Sequence, residues 1–397
     1  MSVPRITVLG LEWPTLLAGT ALFVAGLFTR GFLSSKKRVH IIESPRTRLL
    51  PKLSSEEKSN LPYPPDALPG VRDVASPYGS VRVYEWGPET GRKILLVHGI
   101  STPCLALGPV AHALVENGCR VMLFDLFGRG YSDTTSDIPH DIRLFTTQIL
   151  LVLASSPLSW TGTSSGGFSL LGYSLGGGIA AAFTSYFPTL VNSLILIAPA
   201  GLIRRYHFGR ITRIIYSEGV IPEAILRHVV RKRLQKPLAP TAMKETAPEK
   251  SGLMDPIKAE INLERNAPII LSKSHPDITI EAAVNHQVHH HEGFIHAFMS
   301  SIRNGPISEQ HEYWRSIGKR LTDQSKGSEK YDWPPMVSGK VLVIGGAHDP
   351  LIKKDELETD ALEVFEGNVV FKFIDAGHEA PVMKGEEVAQ HIMEFWA

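Results

Sequence analysis

Two serines of this chain occur in the pattern Gly-x-Ser-x-Gly, both within the segment 161–183, TGTSSGGFSLLGYSLGGGIAAAF. A serine nucleophile in this pattern needs a strand before it and a helix after it, so that a sharp turn exposes its hydroxyl group. Ser174 has both, because the apolar run 168–173 precedes it and residues 177–183, whose pattern indicates a tightly packed helix, follow it. Ser164 lies in a Thr/Ser/Gly cluster that is typical of a loop. We therefore predict that Ser174 is the nucleophile and that Ser164 is not.

The glycine turn His98-Gly99-Ile100-Ser101 follows a short apolar run at 94–97 and supplies a candidate for charge stabilisation. The backbone amide of Ile100 can face the oxygen of Ser174 from this turn. Together with the amide of Leu175, at the start of the next helix, it would form an oxyanion hole with two donors.

An acid and a base follow two later apolar runs, at 340–344 and 369–374. Asp349 comes after the first run and His378 after the second. At neutral pH an imidazole can take the serine proton and return it to a leaving group, and a carboxylate can orient that imidazole. The order along the chain is thus Ser174, Asp349, His378, each just beyond the end of a predicted strand.

Short apolar runs alternate with helical patterns from residue 80 onward, which is typical of a mostly parallel sheet flanked by helices. The predicted strands are 81–86, 94–97, 120–125, 168–173, 193–198, 340–344 and 369–374. Between Pro199 and about Pro335 the alternation stops, and the pattern there is amphipathic and helical.

These features together resemble the α/β-hydrolase superfamily, and DLFGRGYSD at 125–133 also matches a loop that is common in it. The resemblance implies an α/β fold in which a mostly parallel central sheet is flanked by helices and a helical cap is inserted before the last two strands. By the family's chain order it favours Asp349 over Asp375, only three residues before His378, as the orienting carboxylate.

The resemblance also implies a serine hydrolase that forms an acyl-enzyme and cleaves an ester, thioester or lactone bond of a small, largely apolar substrate. Phe294 and Phe298, one helical turn apart in the predicted cap, are candidate residues of the substrate pocket. Two alternatives stay open: an acyltransferase or lyase on the same fold, and a receptor-like binding protein with a vestigial site.

Metal and cofactor chemistry are not predicted. His286 and His290 stand four residues apart in NHQVHHHEGFIH and could share a helix face, but the sequence lacks the pattern of a zinc hydrolase, and a serine triad needs no metal. Cys104 and Cys119 form neither a disulfide framework nor a metal-ligand spacing. A net charge of +1 over 397 residues argues against nucleic acid as a main partner.

The run Trp13–Leu33 carries a single charge, Arg30, and approaches the length needed to cross a bilayer. A basic cluster, Lys36-Lys37-Arg38, follows it, which predicts a single-pass membrane protein of the endoplasmic reticulum or a similar membrane with its catalytic domain in the cytosol. A secretory signal peptide would have the basic residues first. A helix packed against its own domain is the other alternative.

The whole chain also resembles membrane-anchored fungal hydrolases, several of which occur beside secondary-metabolite pathways.

The chain therefore divides into five predicted parts. They are a membrane anchor with its basic flank at 1–43, an extended tether and lead-in at 44–79, the first part of the hydrolase core at 80–199, the helical cap at 200–335, and the second part of the core at 336–397.

Overall fold

The computed structural model describes residues 7–8, 11–12, 19–20, 23, 41–161, 166–207, 221–234, 269–327 and 336–397. The chain divides into two units, one up to His40 and one from Ile41 onward. In the first unit, Thr7–Val8 pairs with Leu11–Glu12 in an antiparallel ladder. Within the described ranges no helix is both long and apolar enough to cross a bilayer. Most of the predicted span Trp13–Leu33 lies outside these ranges, so the membrane anchor stays a prediction.

The second unit is built on an eight-stranded sheet in the order β8-β7-β6-β5-β3-β4-β2-β1. Strands β3 to β8 pair in parallel with one another, and β2 pairs antiparallel with both β4 and β1. The strands are β1 Val71–Val74, β2 Val81–Trp86, β3 Lys93–Val97, β4 Arg120–Phe124, β5 Phe168–Tyr173, β6 Val191–Ile197, β7 Val341–Gly346 and β8 Val369–Ile374. The predicted, mostly parallel sheet is confirmed.

Central parallel strands are covered by helices on both faces, so their residues are apolar throughout instead of alternating. Every residue of β5 and of β7 is buried. The helices are α1 Gly108–Glu116, α2 Ile142–Ala154, α3 Leu175–Tyr186, α4 Glu223–Leu234, α5 Ile280–His290, α6 Phe294–Asn304, α7 His311–Ser325, α8 Lys354–Val364, α9 Ala380–Met383 and α10 Gly385–Trp396. The second unit also contains short helices at Pro45–Arg48 and Ser55–Ser59, and 3-10 turns at Leu50–Lys52, Cys104–Leu107, Arg205–His207 and Val337–Gly339.

The insertion between β6 and β7 divides into two structural parts. Helices α5 and α6 contact each other, and α6 also contacts α4. Helix α7, by contrast, packs against α3 and α8. The end of the segment that we predicted as cap, 200–335, therefore contributes a helix to the layer beside the sheet. We use "cap helices" below for α5 and α6 only.

The segment 44–79 differs from the extended tether that we predicted. It contains β1 and the two short helices, and Tyr63 and Leu68 are buried in the core. The Tyr63 hydroxyl lies 3.3 Å from the Asp125 carboxylate, and the Tyr63 backbone carbonyl accepts a hydrogen bond from the Tyr131 hydroxyl. The segment is rich in Pro, Ser and charged residues and has no continuous apolar run, so its sequence pattern does not predict this packing. Hydrogen bonds of polar groups hold it against the core instead.

Candidate active site

Ser174 occupies the sharp turn between β5 and α3. Its backbone has φ 53° and ψ −119°, a conformation that costs a non-glycine residue free energy and persists only when neighbours enforce it. Three hydrogen bonds do so: the Ser174 amide donates to the Ile197 carbonyl at 3.1 Å, and the Ser174 carbonyl accepts from the amides of Ala200 (2.8 Å) and Gly177 (2.9 Å). The turn therefore fixes the position of the Ser174 hydroxyl.

Glycine at position 176 is required by the close approach of α3 to β3. A Cβ atom there would lie 2.1 Å from the Val97 carbonyl oxygen, well inside van der Waals contact. Because Gly176 lets the helix start directly beside the strand, the first amides of α3 and the positive end of its dipole lie next to Ser174. The pattern of small residues after Ser174 thus has a packing reason in this structure.

The structure brings the three predicted residues of the triad together. His378 Nε2 lies 3.0 Å from Ser174 Oγ, and His378 Nδ1 lies 2.7 Å from Asp349 Oδ2. The side chains of His378 and Asp349 are both buried. Burial excludes water from the hydrogen bonds and strengthens the interaction of the carboxylate with the imidazole.

Asp349 is held in place by the backbone of the loop after β7. Its Oδ1 accepts hydrogen bonds from the amides of Leu351 (2.8 Å) and Ile352 (2.9 Å), which leaves Oδ2 for His378. The competing carboxylate, Asp375, instead pairs with His348 at 3.1 Å, with both side chains exposed to solvent. The carboxylate that faces His378 is therefore Asp349.

The turn after β3 carries the first candidate oxyanion donor, Ile100, and a buried histidine fixes its peptide. His98 Nδ1 lies 2.8 Å from the Gly99 carbonyl, and the Leu126 amide donates to His98 Nε2 at 2.9 Å. Since a carbonyl only accepts and an amide only donates, the proton of His98 is on Nδ1. Burial, and secondarily the charge of Arg129, lowers the pKa of His98 to about 3, so the ring is neutral.

His98 thereby acts on the peptide group that joins Gly99 to Ile100. Its Nδ1–H donates to the carbonyl of that peptide, and a donor on the carbonyl oxygen polarises the N–H at the other end. That N–H belongs to Ile100, the predicted oxyanion donor. The second predicted donor, the amide of Leu175, is the first of α3 and has no acceptor within the helix.

The cap helices are hydrogen-bonded to the loops that follow β3 and β4. Phe294 and Phe298 are buried on α6, with ring centroids 5.9 Å apart. Their contact with a substrate stays a prediction. Ser164, the serine that we predicted to be inert, lies outside the described residues.

His286 and His290 share a face of α5, with ring centroids 4.7 Å apart. Burial, and secondarily the charge that His290 can carry, lowers the pKa of His286 to about 4, so this ring is neutral near pH 7. Within the described ranges no group of three or more His, Cys, Asp or Glu side chains is arranged to hold a metal ion.

Two buried side chains near the oxyanion turn were missed by the sequence analysis. Arg129 lies inside the DLFGRGYSD loop. The loop matches a loop common in the family, but that match does not assign a role to the guanidinium group. Gln287 lies in the histidine-rich run, where the histidines obscured it. Both make contacts between segments more than 150 residues apart in the chain, which no local pattern signals.

A family model described as the alpha/beta hydrolase fold matches residues 93–383. Among curated proteins, the chain is 27% identical over 128 residues to a serine hydrolase-like protein of Danio rerio and 29% identical over 136 residues to one of Homo sapiens. These alignments cover 32% and 33% of this chain, and 37% and 63% of the respective relatives. The chain thus spans less than two thirds of the length of either relative.

Solved structures show the same fold at low sequence identity. The enol-lactonase of Burkholderia xenovorans LB400 aligns with a TM-score of 0.52 at 15% identity, over 82% of this chain and 99% of its own. A serine hydrolase involved in carbazole degradation, CarC, aligns with a TM-score of 0.52 at 17% identity, over 82% and 97%. With a family model that spans most of the sheet and a strained serine turn at its centre, this chain belongs to the α/β-hydrolase fold family.

Proposed function

We propose that this protein is a serine hydrolase that cleaves an ester, thioester or lactone bond of a small, largely apolar substrate through an acyl-enzyme on Ser174. The observation that carries the proposal is the continuous hydrogen-bonded chain from Ser174 Oγ through His378 to Asp349, at 3.0 and 2.7 Å. Its nucleophile is at a strained turn, its base is buried, and its orienting carboxylate is anchored by two backbone amides.

In the acylation step, Ser174 Oγ attacks the carbonyl carbon of the substrate while His378 Nε2 takes the hydroxyl proton. Asp349 stabilises the imidazolium that forms, because its Oδ2 accepts the Nδ1–H of His378. The amides of Ile100 and Leu175 stabilise the negative charge that develops on the carbonyl oxygen. His378 then protonates the leaving oxygen or sulfur, and the carbon–heteroatom bond breaks.

In the deacylation step, a water molecule takes the place of the leaving group. His378 accepts a proton from this water as its oxygen attacks the acyl carbon. The second tetrahedral intermediate uses the same two amides, and its collapse returns the proton to Ser174 Oγ. The products are a carboxylic acid and the free enzyme.

Ester chain length should control the rate. Each methylene buried in an apolar pocket contributes about 0.8 kcal/mol, or roughly fourfold in affinity, until the pocket is filled. We expect kcat/KM for p-nitrophenyl esters to rise with acyl length and then fall, and peptide amides to be poor substrates. Because Phe294 and Phe298 are proposed to line the pocket, Phe294→Ala and Phe298→Ala should each move the optimum to longer chains.

A matched control is Phe183→Ala. Phe183 lies near the end of α3, and its buried ring packs on Phe168 and Phe187, whereas Ser174 directly precedes the start of this helix. The substitution should lower stability without moving the chain-length optimum. An optimum that stays in place in both cap variants, or efficient cleavage of casein, would contradict the proposed pocket.

The product distinguishes hydrolysis from acyl transfer. Free acid as the main product identifies hydrolysis, whereas preferential transfer of the acyl group to an added alcohol would identify an acyltransferase.

We also propose that the segment Trp13–Leu33 anchors the protein in a membrane with the catalytic domain in the cytosol. Its apolar composition and the basic residues that follow it support this arrangement. The described residues within it, Gly19, Thr20 and Phe23, are helical and exposed. Protease added to intact microsomes should digest the catalytic domain without detergent. Protection of that domain from the protease would show that it faces the lumen. Full recovery of the protein in the soluble fraction would contradict the membrane anchor.

A further inference from the structure

Arg129 is a fully buried arginine that joins three parts of the molecule. Its Nε donates to the Ile100 carbonyl at 3.1 Å, and a second nitrogen, Nη1, donates to the Phe127 carbonyl at 3.0 Å. Its Nη2 donates to Ser301 Oγ at 2.9 Å, on the cap helix α6. The planar guanidinium group thus connects the oxyanion turn, its own loop after β4 and the cap.

Gln287, on the cap helix α5, makes a second link to the same turn. Its Nε2 donates to the Ser101 carbonyl, one residue after Ile100. Its Oε1 accepts from the Gly130 amide at 3.1 Å, beside Arg129. The amide is completely buried, so both of its bonds are shielded from water.

The two links act on consecutive peptides of one short turn. Arg129 holds the carbonyl of Ile100, and Gln287 holds the carbonyl of Ser101. On the other side of Ile100, the carbonyl of Gly99 is held by His98. Three consecutive carbonyls are therefore fixed, and with them the direction of the Ile100 N–H.

We infer that Arg129 and Gln287 are positioning residues through which the cap helices hold the oxyanion turn in its productive orientation. The inference rests on the proposed function, because it assigns a role to the Ile100 amide in that reaction. An oxyanion donor stabilises the transition state more than the bound substrate, so loss of its alignment lowers kcat and leaves KM nearly unchanged. The cap then contributes to the chemical step in addition to covering the site.

Gln287→Glu tests the inference with a side chain of nearly the same shape. A carboxylate can still accept from the Gly130 amide but cannot donate to the Ser101 carbonyl, which it repels. Complete loss of an oxyanion donor costs about a hundredfold to a thousandfold in kcat, and we expect its misalignment to cost roughly tenfold to a hundredfold. KM for a short p-nitrophenyl ester should change by less than about threefold.

The pH dependence separates positioning from a general loss of stability. The introduced carboxylic acid can donate to the Ser101 carbonyl once it is protonated. Burial raises its pKa, and the nearby positive charge of Arg129 opposes that rise. The ratio of Gln287→Glu activity to unmodified activity should therefore increase as pH falls from about 8 to about 5.5. Arg129→Lys, which keeps the charge but loses the planar set of donors, should also lower kcat with little change in KM.

Asn368→Asp is the control, because it makes the same change from an amide to a carboxylate away from this network. Asn368 is half-buried directly before β8, and its Nδ2 donates to Thr322 Oγ1 at 2.8 Å and to the Phe365 carbonyl at 2.9 Å. It should lower the melting temperature without the kcat loss or the change in pH ratio. The inference would be overturned if Gln287→Glu had the kcat of the unmodified protein and the ratio of their activities did not change with pH. It would also be overturned if Gln287→Glu raised KM and left kcat unchanged. In either case, activity that still requires Ser174 would leave the proposed function standing.

Discussion

Replacing Ser174 by alanine should lower kcat for a p-nitrophenyl ester by a factor on the order of 10⁶, the loss typical of removing the nucleophile from a serine triad. The change removes the oxygen that we propose forms the acyl bond, while the turn, the proposed oxyanion amides and His378 stay in place. Alanine at this position carries the same backbone strain as serine, and the three backbone hydrogen bonds that enforce the turn are unchanged. Steady-state kinetics and the melting temperature measure the two effects separately.

The variant Ser164→Ala is the internal control for this loss. It removes a hydroxyl group from the same sequence pattern, ten residues earlier in the chain. We expect its kcat to equal that of the unmodified protein. A large loss in Ser164→Ala with retained activity in Ser174→Ala would reverse the assignment of the nucleophile.

Asp349→Asn should lower kcat by about 10⁴ because it inverts the hydrogen bonding of His378. The amides of Leu351 and Ile352 both donate to Oδ1, so the asparagine carbonyl oxygen must take that position and its NH₂ group must face His378. His378 Nδ1 would then accept a hydrogen bond, and the ring proton would move to Nε2. An imidazole with its proton on Nε2 cannot take the proton of Ser174.

Asp375→Asn provides the control, since Asp375 pairs with His348 in an exposed position. Its kcat should stay within about threefold of the unmodified value, in line with the small contribution of exposed ion pairs. If instead Asp375→Asn were the inactive variant and Asp349→Asn retained its rate, the orienting carboxylate would have been misidentified.

The parts of the site that could be predicted from the sequence are those encoded by contiguous residues. The strand, serine and helix around Ser174 form one uninterrupted pattern. Asp349 follows the buried strand β7, and His378 follows the half-buried edge strand β8. In a parallel sheet, the carboxyl ends of the strands meet at one edge, so three strand ends were enough to place the triad. The mostly parallel sheet followed from the same apolar runs.

The parts that could not be predicted depend on contacts between distant segments. Strand β1 is an edge strand with alternating exposed and half-buried residues in a proline-rich stretch, so its local signal is weak. The roles of Arg129 and Gln287 require the cap to be folded onto the turn, which the sequence does not specify. The division of the insertion between cap helices and α7 likewise depends on which apolar face meets α3.

Covalent labelling with a fluorophosphonate, followed by proteolysis and mass spectrometry, tests the central claim most directly. The reagent phosphonylates a serine only where a base activates the hydroxyl and oxyanion donors stabilise the developing charge. We predict a single adduct, on Ser174, that is absent from Ser174→Ala, forms at the unmodified rate in Ser164→Ala and forms more slowly in Asp349→Asn. An adduct on Ser164, or no adduct on folded protein that hydrolyses esters, would contradict the account.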